Sequence, residues 1–329
     1  MRTRTLLSIF AAFLLYCLPI YSQDSLKTRP DANGPTIVNV SVFVIDIREI
    51  DGAKQMYSGD VAVRLRWKDL RLASSEKLRS LPLTVAWNPG IQLVNRIAVQ
   101  TTLPDMLDVD SEGNVMYRQR YIGQFSCMMD LREFPFDRQS VPVRFAAPGF
   151  SPSDIKFVQD QESAIAQTIT LTDWKIQSWK LSDKPFQLVP GGLTLASFQF
   201  EFSAQRRFYY FLVQIIIPMT LIVAMSWIVF WLDPTQPGPR VSISITSMLT
   251  VVAYRLLLSS FLPRLPFLTR MDYFVFSSTS LVFFSLVCIV AINWLLLGKK
   301  ESAALKLDRV ARWIFPTAFL IVTIKCFVY

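Results

Sequence analysis

The sequence contains no histidine among its 329 residues. This absence excludes zinc sites with histidine ligands, Ser–His and Cys–His catalysis, and the usual side chain for a pH switch near neutrality. The sequence also lacks the G-x-S-x-G, P-loop and G-x-G-x-x-G signatures of hydrolases and nucleotide-binding proteins. We therefore predict a protein that is not an enzyme and that requires no cofactor or metal ion.

Cysteine is also scarce, with four residues in the whole chain. Cys17 lies in an amino-terminal apolar run, Cys288 and Cys326 lie in later apolar segments, and Cys127 alone lies outside such segments. This distribution excludes a disulfide framework within one exported chain.

The net charge is +9, and the chain is 52% hydrophobic and 18% charged. A basic chain can indicate a nucleic-acid partner, but here much of the charge adjoins apolar segments, at Lys299, Lys300, Lys306, Arg309 and Arg312. Such placement indicates membrane topology instead. We therefore predict a lipid bilayer, and no nucleic acid, as a partner.

Residues 1–22 have the pattern of a signal peptide. Arg2 and Arg4 precede an apolar run over 6–18, which is followed by a plausible cleavage site. A permanent anchor is the alternative, but the run is short for a span. The mature chain is therefore expected to begin outside the cytoplasm.

Residues 23–206 carry short runs in which apolar and polar side chains alternate. Examples are 37–45, 61–67, 141–145 and 198–202, and turn sequences separate them. Several such strands at short intervals predict an extracellular, immunoglobulin-like antiparallel β-sandwich.

Residues 207–329 are predicted to form a four-helix transmembrane bundle. The apolar segments are long enough to cross a bilayer and lie at about 208–231, 241–261, 271–297 and 310–328. The short basic linker 298–308 is expected in the cytoplasm, which again places the amino-terminal domain outside.

The second span carries hydroxyl groups along one helical face. Residues at alternating steps of four and three form this stripe: Ser242, Thr246, Leu249, Ala253, Leu256 and Ser260. Symmetric copies of the stripe around a central axis would line a water-filled pore. The alternative is a buried helix whose hydroxyls bond back to its own carbonyls.

The segment 127–139 contains Cys127 and then Phe134, Pro135, Phe136 and Asp137 before a glutamine. It resembles the signature loop of the pentameric ligand-gated ion channels, the Cys-loop receptors. The second cysteine of that loop would fall at Val141, so the disulfide is missing, as in the bacterial branch. Further segments resemble the family in order and spacing: 67–72, 87–95, 112–117, 248–254 and 262–266.

The resemblance implies a homopentamer of identical subunits in the bacterial plasma or inner membrane. A small-molecule agonist would bind between ectodomains, under the loop 183–192, and would open a pore for small ions lined by the second span. Leu249, Ala253 and Leu256 would form an apolar gate. The implied coupling surface comprises Phe134 to Asp137, the loop 51–54, Arg206, Arg207, Pro263 and Pro266. The rival hypothesis is a non-conducting, membrane-tethered binding receptor.

Three residues bear on the charge of the permeant ion. Pro239 and Arg240 resemble the pattern of anion channels, because proline-held backbone dipoles and a basic side chain favour negative ions. Asp233 is the acid near the same mouth and favours cations. We expect anions, with cations as the alternative.

The ligand site is expected to differ from the family's amine-binding box, which needs aromatic faces for cation–π contact. Val94 and Pro148 stand where the family carries aromatic or acidic side chains. Part of a box is expected from Phe43, Phe150, Phe186 and Phe198. Protons are the alternative agonist, and they would act through carboxylates or tyrosine because histidine is absent.

Overall fold

A computed structural model describes residues 24–31, 33–258 and 265–327. The predicted signal peptide lies outside these ranges, as do Ser260 of the stripe and Pro263 of the coupling surface. The structure therefore bears on the remaining predicted residues.

Thirteen strands occupy the amino-terminal part of the described chain. They are β1 (Thr36–Asp51), β2 (Met56–Lys68), β3 (Leu78–Pro82), β4 (Gln92–Leu93), β5 (Arg96–Thr101), β6 (Met106–Asp110), β7 (Asn114–Ser126), β8 (Arg138–Ala147), β9 (Ile155–Gln159), β10 (Ala164–Ile165), β11 (Trp174–Asp183), β12 (Phe186–Gln187) and β13 (Thr194–Arg206).

The strands form two sheets. The larger sheet has the order β10-β1-β2-β7-β6-β3, with β5 also paired to β7 and β9 to β1. The smaller sheet has the order β11-β13-β8-β4, with β12 paired to β13. Pairing is antiparallel throughout, except that β1 runs parallel to both β9 and β10. The predicted antiparallel sandwich is confirmed, with two short parallel pairings in addition.

The core of the sandwich lies between the inward faces of the two sheets. Along β1, the alternate residues Val38, Val40, Val42 and Val44 are buried, as the period of two in a strand predicts. The ring of Tyr57 bridges the sheets, because it stacks on Phe125 of β7 at 4.9 Å and meets Phe202 of β13 edge-on at 6.0 Å. Its hydroxyl donates to the carbonyl of Pro142, 2.9 Å away.

Four helices in the described chain are long and apolar enough to cross a membrane. They are α1 (Tyr209–Trp231), α2 (Pro237–Leu258), α3 (Arg270–Leu297) and α4 (Glu301–Phe327). Helix α4 begins nearer the amino terminus than expected, at Glu301, so most of the segment predicted as a linker is helical. Helix α2 likewise begins early, at Pro237.

Helix α1 follows β13 after two residues, so the β-sandwich lies next to one end of the bundle. At that end the amide of Arg270, the first residue of α3, donates to the carbonyl of Arg132 in the sandwich, 3.0 Å away. We call this the near end of each helix and the opposite one the far end. The chain therefore enters α2 at its far end and leaves it at its near end.

Candidate pore and coupling site

Helix α2 packs on the rest of its subunit along one face only. The residues of this face recur at steps of three, four or seven, as a helical stripe does. They are Arg240, Ser244, Ser247, Val251 and Leu258, all at most 2% exposed. The opposite face is exposed and does not pack against the rest of the described chain.

The predicted stripe occupies that opposite face. Ser242, Thr246, Leu249, Ala253 and Leu256 are all exposed, with Leu249 at 65% and Leu256 at 70%. Ile245 and Val252, which are not members of the predicted stripe, are also exposed and widen the exposed surface. The structure thus brings the five described stripe residues onto one unpacked surface.

Hydroxyls of α2 also bond to carbonyls of the same helix, as the alternative prediction of a buried helix required. Thr246 Oγ1 donates to the carbonyl of Ser242 at 2.9 Å, and Thr250 Oγ1 donates to that of Thr246 at 2.8 Å. On the buried face, Ser244 and Ser247 make the same bond to the carbonyl four residues earlier. A hydroxyl that donates in this way keeps its lone pairs, so Thr246 still presents acceptor oxygen to the exposed face.

The predicted coupling surface contains an ion pair with little exposure to solvent. Arg206, at the end of β13, donates through Nε to Asp137 Oδ1 at 2.7 Å and through Nη2 to Oδ2 at 3.1 Å. Its guanidinium lies 4.1 Å from the Trp174 ring and 4.9 Å from that of Phe134. Such a two-point pair fixes orientation as well as distance. It holds the signature loop against the strand that leads into α1.

Arg207 does not share this role. Its side chain is exposed, and its amide donates to the carbonyl of Asp173 at 2.8 Å. Strand alternation explains the difference, because successive side chains of an extended segment point to opposite sides. The sequence alone does not show which of the two arginines contacts Asp137, so it predicted both as coupling residues.

The signature loop also touches the helices directly. The ring of Phe134 packs on Phe211 of α1 at 4.8 Å, and that of Phe136 lies 5.0 Å from Phe208 and 5.8 Å from Phe327 of α4. Pro135, between them, is buried. The loop therefore contacts the near ends of the first and fourth helices.

Two neighbouring segments complete the surface. The loop 51–54 is followed by Gln55, whose Oε1 accepts from the amide of Met129 at 2.5 Å. Arg270 of α3 forms an ion pair with Glu133, which the sequence did not identify. Pro266 is exposed. The only sequence signal for the pair of Arg270 and Glu133 is their opposite charge. Many other pairs of charged residues in the chain share that signal.

The far end of α2 corrects one prediction. Arg240 is 2% exposed, its Nε donates to the carbonyl of Val229 at 3.0 Å, and its Nη2 pairs with Asp308 of α4. The carboxylate of Asp308 also lies 3.3 Å from Arg312. Arg240 therefore points into its own subunit, and it does not place positive charge at the pore mouth as expected.

Asp233 and Pro239 lie at the same far end of α2. Both are exposed, in and just after the turn between α1 and α2. The carboxylate of Asp233 accepts from the amide of Thr235 at 2.9 Å and from its hydroxyl at 2.8 Å. These hydrogen bonds, the backbone one first, lower the pKa of Asp233 below its ordinary value. The side chain therefore stays ionised at neutral and mildly acid pH.

The predicted ligand residues do not form one box. Phe198 is 1% exposed and packs between the sheets on Phe145 and Phe157, at 5.1 and 4.9 Å. Phe43 lies on the other sheet, beneath Arg64. Phe150 packs on the buried Trp87 at 5.7 Å. Alternation along β13 assigns Phe198 to the core, a signal that the sequence already contained.

A smaller group of candidate residues does come together around Arg144 of β8. Its guanidinium lies 5.6 Å from the ring of Phe186, and its Nε donates to Gln199 Oε1 at 2.8 Å. Its carbonyl accepts from the amide of Val94 at 2.8 Å. Pro148 is exposed close by in sequence. The sequence did not identify Arg144 and Gln199 as candidates, because the predicted site was aromatic and neither side chain is.

The signature loop carries no disulfide. Cys127 is a free thiol, 2% exposed, and Val141 occupies the position expected for its partner. Burial first, and the nearby charge of Glu201 second, raise the pKa of Cys127 to about 12. The thiol is therefore protonated at neutral pH. In place of a disulfide, the ion pair at Asp137 and the hydrogen bonds of Gln55 hold the loop.

The last strand of the β-sandwich thus leads into four membrane-length helices, and the signature loop contacts the first and the fourth of them, an architecture that defines a membrane protein of two parts. The family model for the neurotransmitter-gated ion-channel ligand binding domain matches residues 21–207. That for the neurotransmitter-gated ion-channel transmembrane region matches residues 215–306. The chain therefore belongs to the neurotransmitter-gated ion channels, the pentameric ligand-gated family, whose members are channels and not enzymes.

Two relatives illustrate the range of this likeness. A proton-gated ion channel of Gloeobacter violaceus is 23% identical over 318 residues, which cover 94% of this chain and 88% of that one. The gamma-aminobutyric acid receptor subunit beta-4 of Gallus gallus is 27% identical over 297 residues, which cover 83% of this chain. The match spans 58% of the length of that receptor subunit.

Proposed function

We propose that five copies of this chain form a homopentameric channel whose pore is lined by the exposed face of α2. The observation that carries the proposal is the two-faced burial of this helix. One face packs into the subunit, whereas Ser242, Thr246, Leu249, Ala253 and Leu256 are left uncovered. Five such faces around one axis would cover one another and enclose water.

The chemistry of the stripe supports gated conduction. Ser242 and Thr246 lie in the far half of α2 and offer oxygen atoms that partly replace the hydration shell of an ion. Leu249 and Leu256 lie in the middle and near end, where an apolar ring closes by losing its water. The stripe thus combines a polar passage with an apolar gate. Agonist binding opens this gate only as far as it prefers the open state.

The burial of Arg240 changes the expected selectivity. The helix N-termini at the far mouth carry about +0.5 elementary charge each. Each subunit also exposes the full negative charge of Asp233 in the turn before α2. A full charge outweighs half a charge at similar distance, and the basic side chain that favoured anions is buried. We therefore propose that small monovalent cations pass.

The agonist site proposed here lies around Arg144, beneath the hairpin that carries Phe186. A partly buried guanidinium next to an aromatic ring suits a ligand with a carboxylate better than a quaternary amine. Protons remain the second agonist to test. Burial raises the pKa of Asp183, at the end of β11, above its ordinary value, so this carboxylate gains a proton earlier than most on acidification.

The orientation follows from charge. Lys299 and Lys300 lie at the turn between α3 and α4, at the far end of the bundle. Positive residues between spans mark the cytoplasmic side. We therefore propose that the far end faces the cytoplasm of a bacterial cell and that the β-sandwich lies outside the plasma membrane.

Purified protein in planar bilayers tests these proposals together. Under a KCl gradient, with steps in pH and with carboxylate agonists such as amino acids, we expect gated current that reverses near the potassium equilibrium potential. Reversal near the chloride potential would contradict the cation proposal alone. Five-fold particles that never conduct would instead support the non-conducting receptor.

A further inference from the structure

Pro218 interrupts the hydrogen bonding of α1 in the near half of the helix. Proline has no amide hydrogen, so the carbonyl of Gln214, four residues earlier, receives no bond from it. The preceding segment Leu212–Ile216 is wound as a π-helix. π-Helical segments are rare and recur at functional positions. In a membrane, the freed carbonyl needs a donor from elsewhere in the bundle.

Tyr254 of α2 supplies that donor. Its hydroxyl donates to the carbonyl oxygen of Gln214 at 2.6 Å, with the carbonyl oxygen of Ile215 at 3.4 Å. Tyr254 follows Ser247 by seven residues and so lies on the packed face of α2, opposite the stripe. The bond therefore joins the helix proposed to line the pore to the irregular start of α1.

The other neighbour of the π-helical segment is the ectodomain. Phe211, the residue immediately before the segment, contacts Phe134 of the signature loop at 4.8 Å. Its ring also lies 6.0 Å from the guanidinium of Arg206. The π-helical segment is thus bounded by the coupling surface on one side and by Tyr254 on the other.

We propose that the hydroxyl of Tyr254 couples the ectodomain to the gate, by making the near half of α2 move with the start of α1. This proposal rests on the channel function proposed above and adds a positioning residue to it. A displacement of Phe211 then reaches Leu249 and Leu256, on the opposite face of α2, through one hydrogen bond.

The substitution Tyr254→Phe removes the hydroxyl and keeps the ring. We expect the agonist or proton concentration for half activation to rise about fivefold, the ratio that one net hydrogen bond supports. Single-channel conductance and reversal potential should not change, because no stripe residue is altered. Tyr273→Phe, in an exposed tyrosine of α3, is the matched control and should change neither quantity.

A second substitution separates the proposed bond from a general packing effect. In Pro218→Ala, residue 218 gains an amide that can donate to the carbonyl of Gln214 within α1. In that background, Tyr254→Phe should shift half activation by less than about twofold, because the carbonyl no longer depends on the hydroxyl. The proposal would be overturned if Tyr254→Phe shifted half activation equally in the wild-type and Pro218→Ala backgrounds. It would also be overturned if Tyr254→Phe lowered the agonist concentration for half activation.

Hydrogen exchange in lipid nanodiscs tests the hydrogen bond between Tyr254 and Gln214 without a measurement of channel current. Tyr254→Phe should speed the exchange of amides in 212–219 about fivefold and leave those of α4 unchanged. Tyr273→Phe should leave both unchanged. If the wild type forms non-conducting pentamers, the channel proposal fails, and this experiment still decides the link. Unchanged exchange over 212–219 in Tyr254→Phe would overturn it.

Discussion

The two ends of α2 are held in different ways. At the far end, the buried guanidinium of Arg240 pairs with Asp308 of α4 and donates to the carbonyl of Val229 in α1. At the near end, the neutral hydroxyl of Tyr254 donates to the carbonyl of Gln214. Separating a buried ion pair costs several kcal/mol, whereas a neutral hydrogen bond contributes about 1 kcal/mol.

This difference assigns different tasks to the two ends. The far end is anchored to two other helices, so we expect the proposed mouth beside Asp233 to keep its dimensions while the channel opens and closes. The near end is held weakly enough for a ligand to shift it, and the exposed leucines of the gate lie in the middle and near half. We therefore propose that selectivity and gating belong to opposite ends of one helix.

The strongest test of the comparison removes the anchor. Asp308→Asn leaves Arg240 buried without its ionic partner, which should cost about 3–5 kcal/mol of stability. We expect a lower thermal unfolding temperature and a reduced yield of assembled protein, measured by size exclusion in detergent. Asp233→Asn is the control, because that carboxylate is exposed. Equal stability of the two variants would contradict the anchored far end.

A smaller effect is expected at the gate. Leu249→Ser places a hydroxyl in the apolar ring and should lower the agonist concentration for half activation about tenfold, because water then enters the closed gate more easily. Whole-cell or bilayer dose–response curves measure this shift. Leu221→Ser on α1, at a similarly exposed leucine, should leave the curve in place. A Leu249→Ser channel that needs more agonist would argue against the gate.

The sequence predicted the fold because its signals are local. Alternation identified β1, β2, β8 and β13, and apolar length identified four spans. The stripe of α2 was also readable, since a helical period needs only one segment. Phe198 was predicted as a ligand residue, although its alternation with Phe200 and Phe202 along the strand already indicated a position in the core.

Contacts between distant segments were not readable in the same way. Arg240 adjoins the proposed mouth in sequence, and only the packing of α4 brings Asp308 to it. Tyr254 and Gln214 are likewise joined by the folded bundle, and no periodicity indicates that bond. The charge at the proposed far mouth depends on the Arg240–Asp308 pair, so the expectation of anions rested on a side chain that folding removes from the surface.

The smallest expected effect concerns pH at the far mouth. Hydrogen bonds from Thr235 lower the pKa of Asp233, so its charge persists above that pKa and is lost only as the pH falls through it. We expect the reversal potential to stay constant between about pH 8 and pH 5, above the ordinary range of a carboxyl group. Asp233→Asn should shift it toward the chloride potential at every pH.

The measurement that tests the central claim most directly is the accessibility of introduced cysteines along α2. In a background without native cysteines, charged thiol reagents that cannot cross lipid should modify Thr246→Cys and Ala253→Cys and block the current. They should not modify Ser247→Cys or Val251→Cys on the packed face. The proposed pore would be contradicted if the reagents modified the cysteines on the packed face and did not modify those in the stripe.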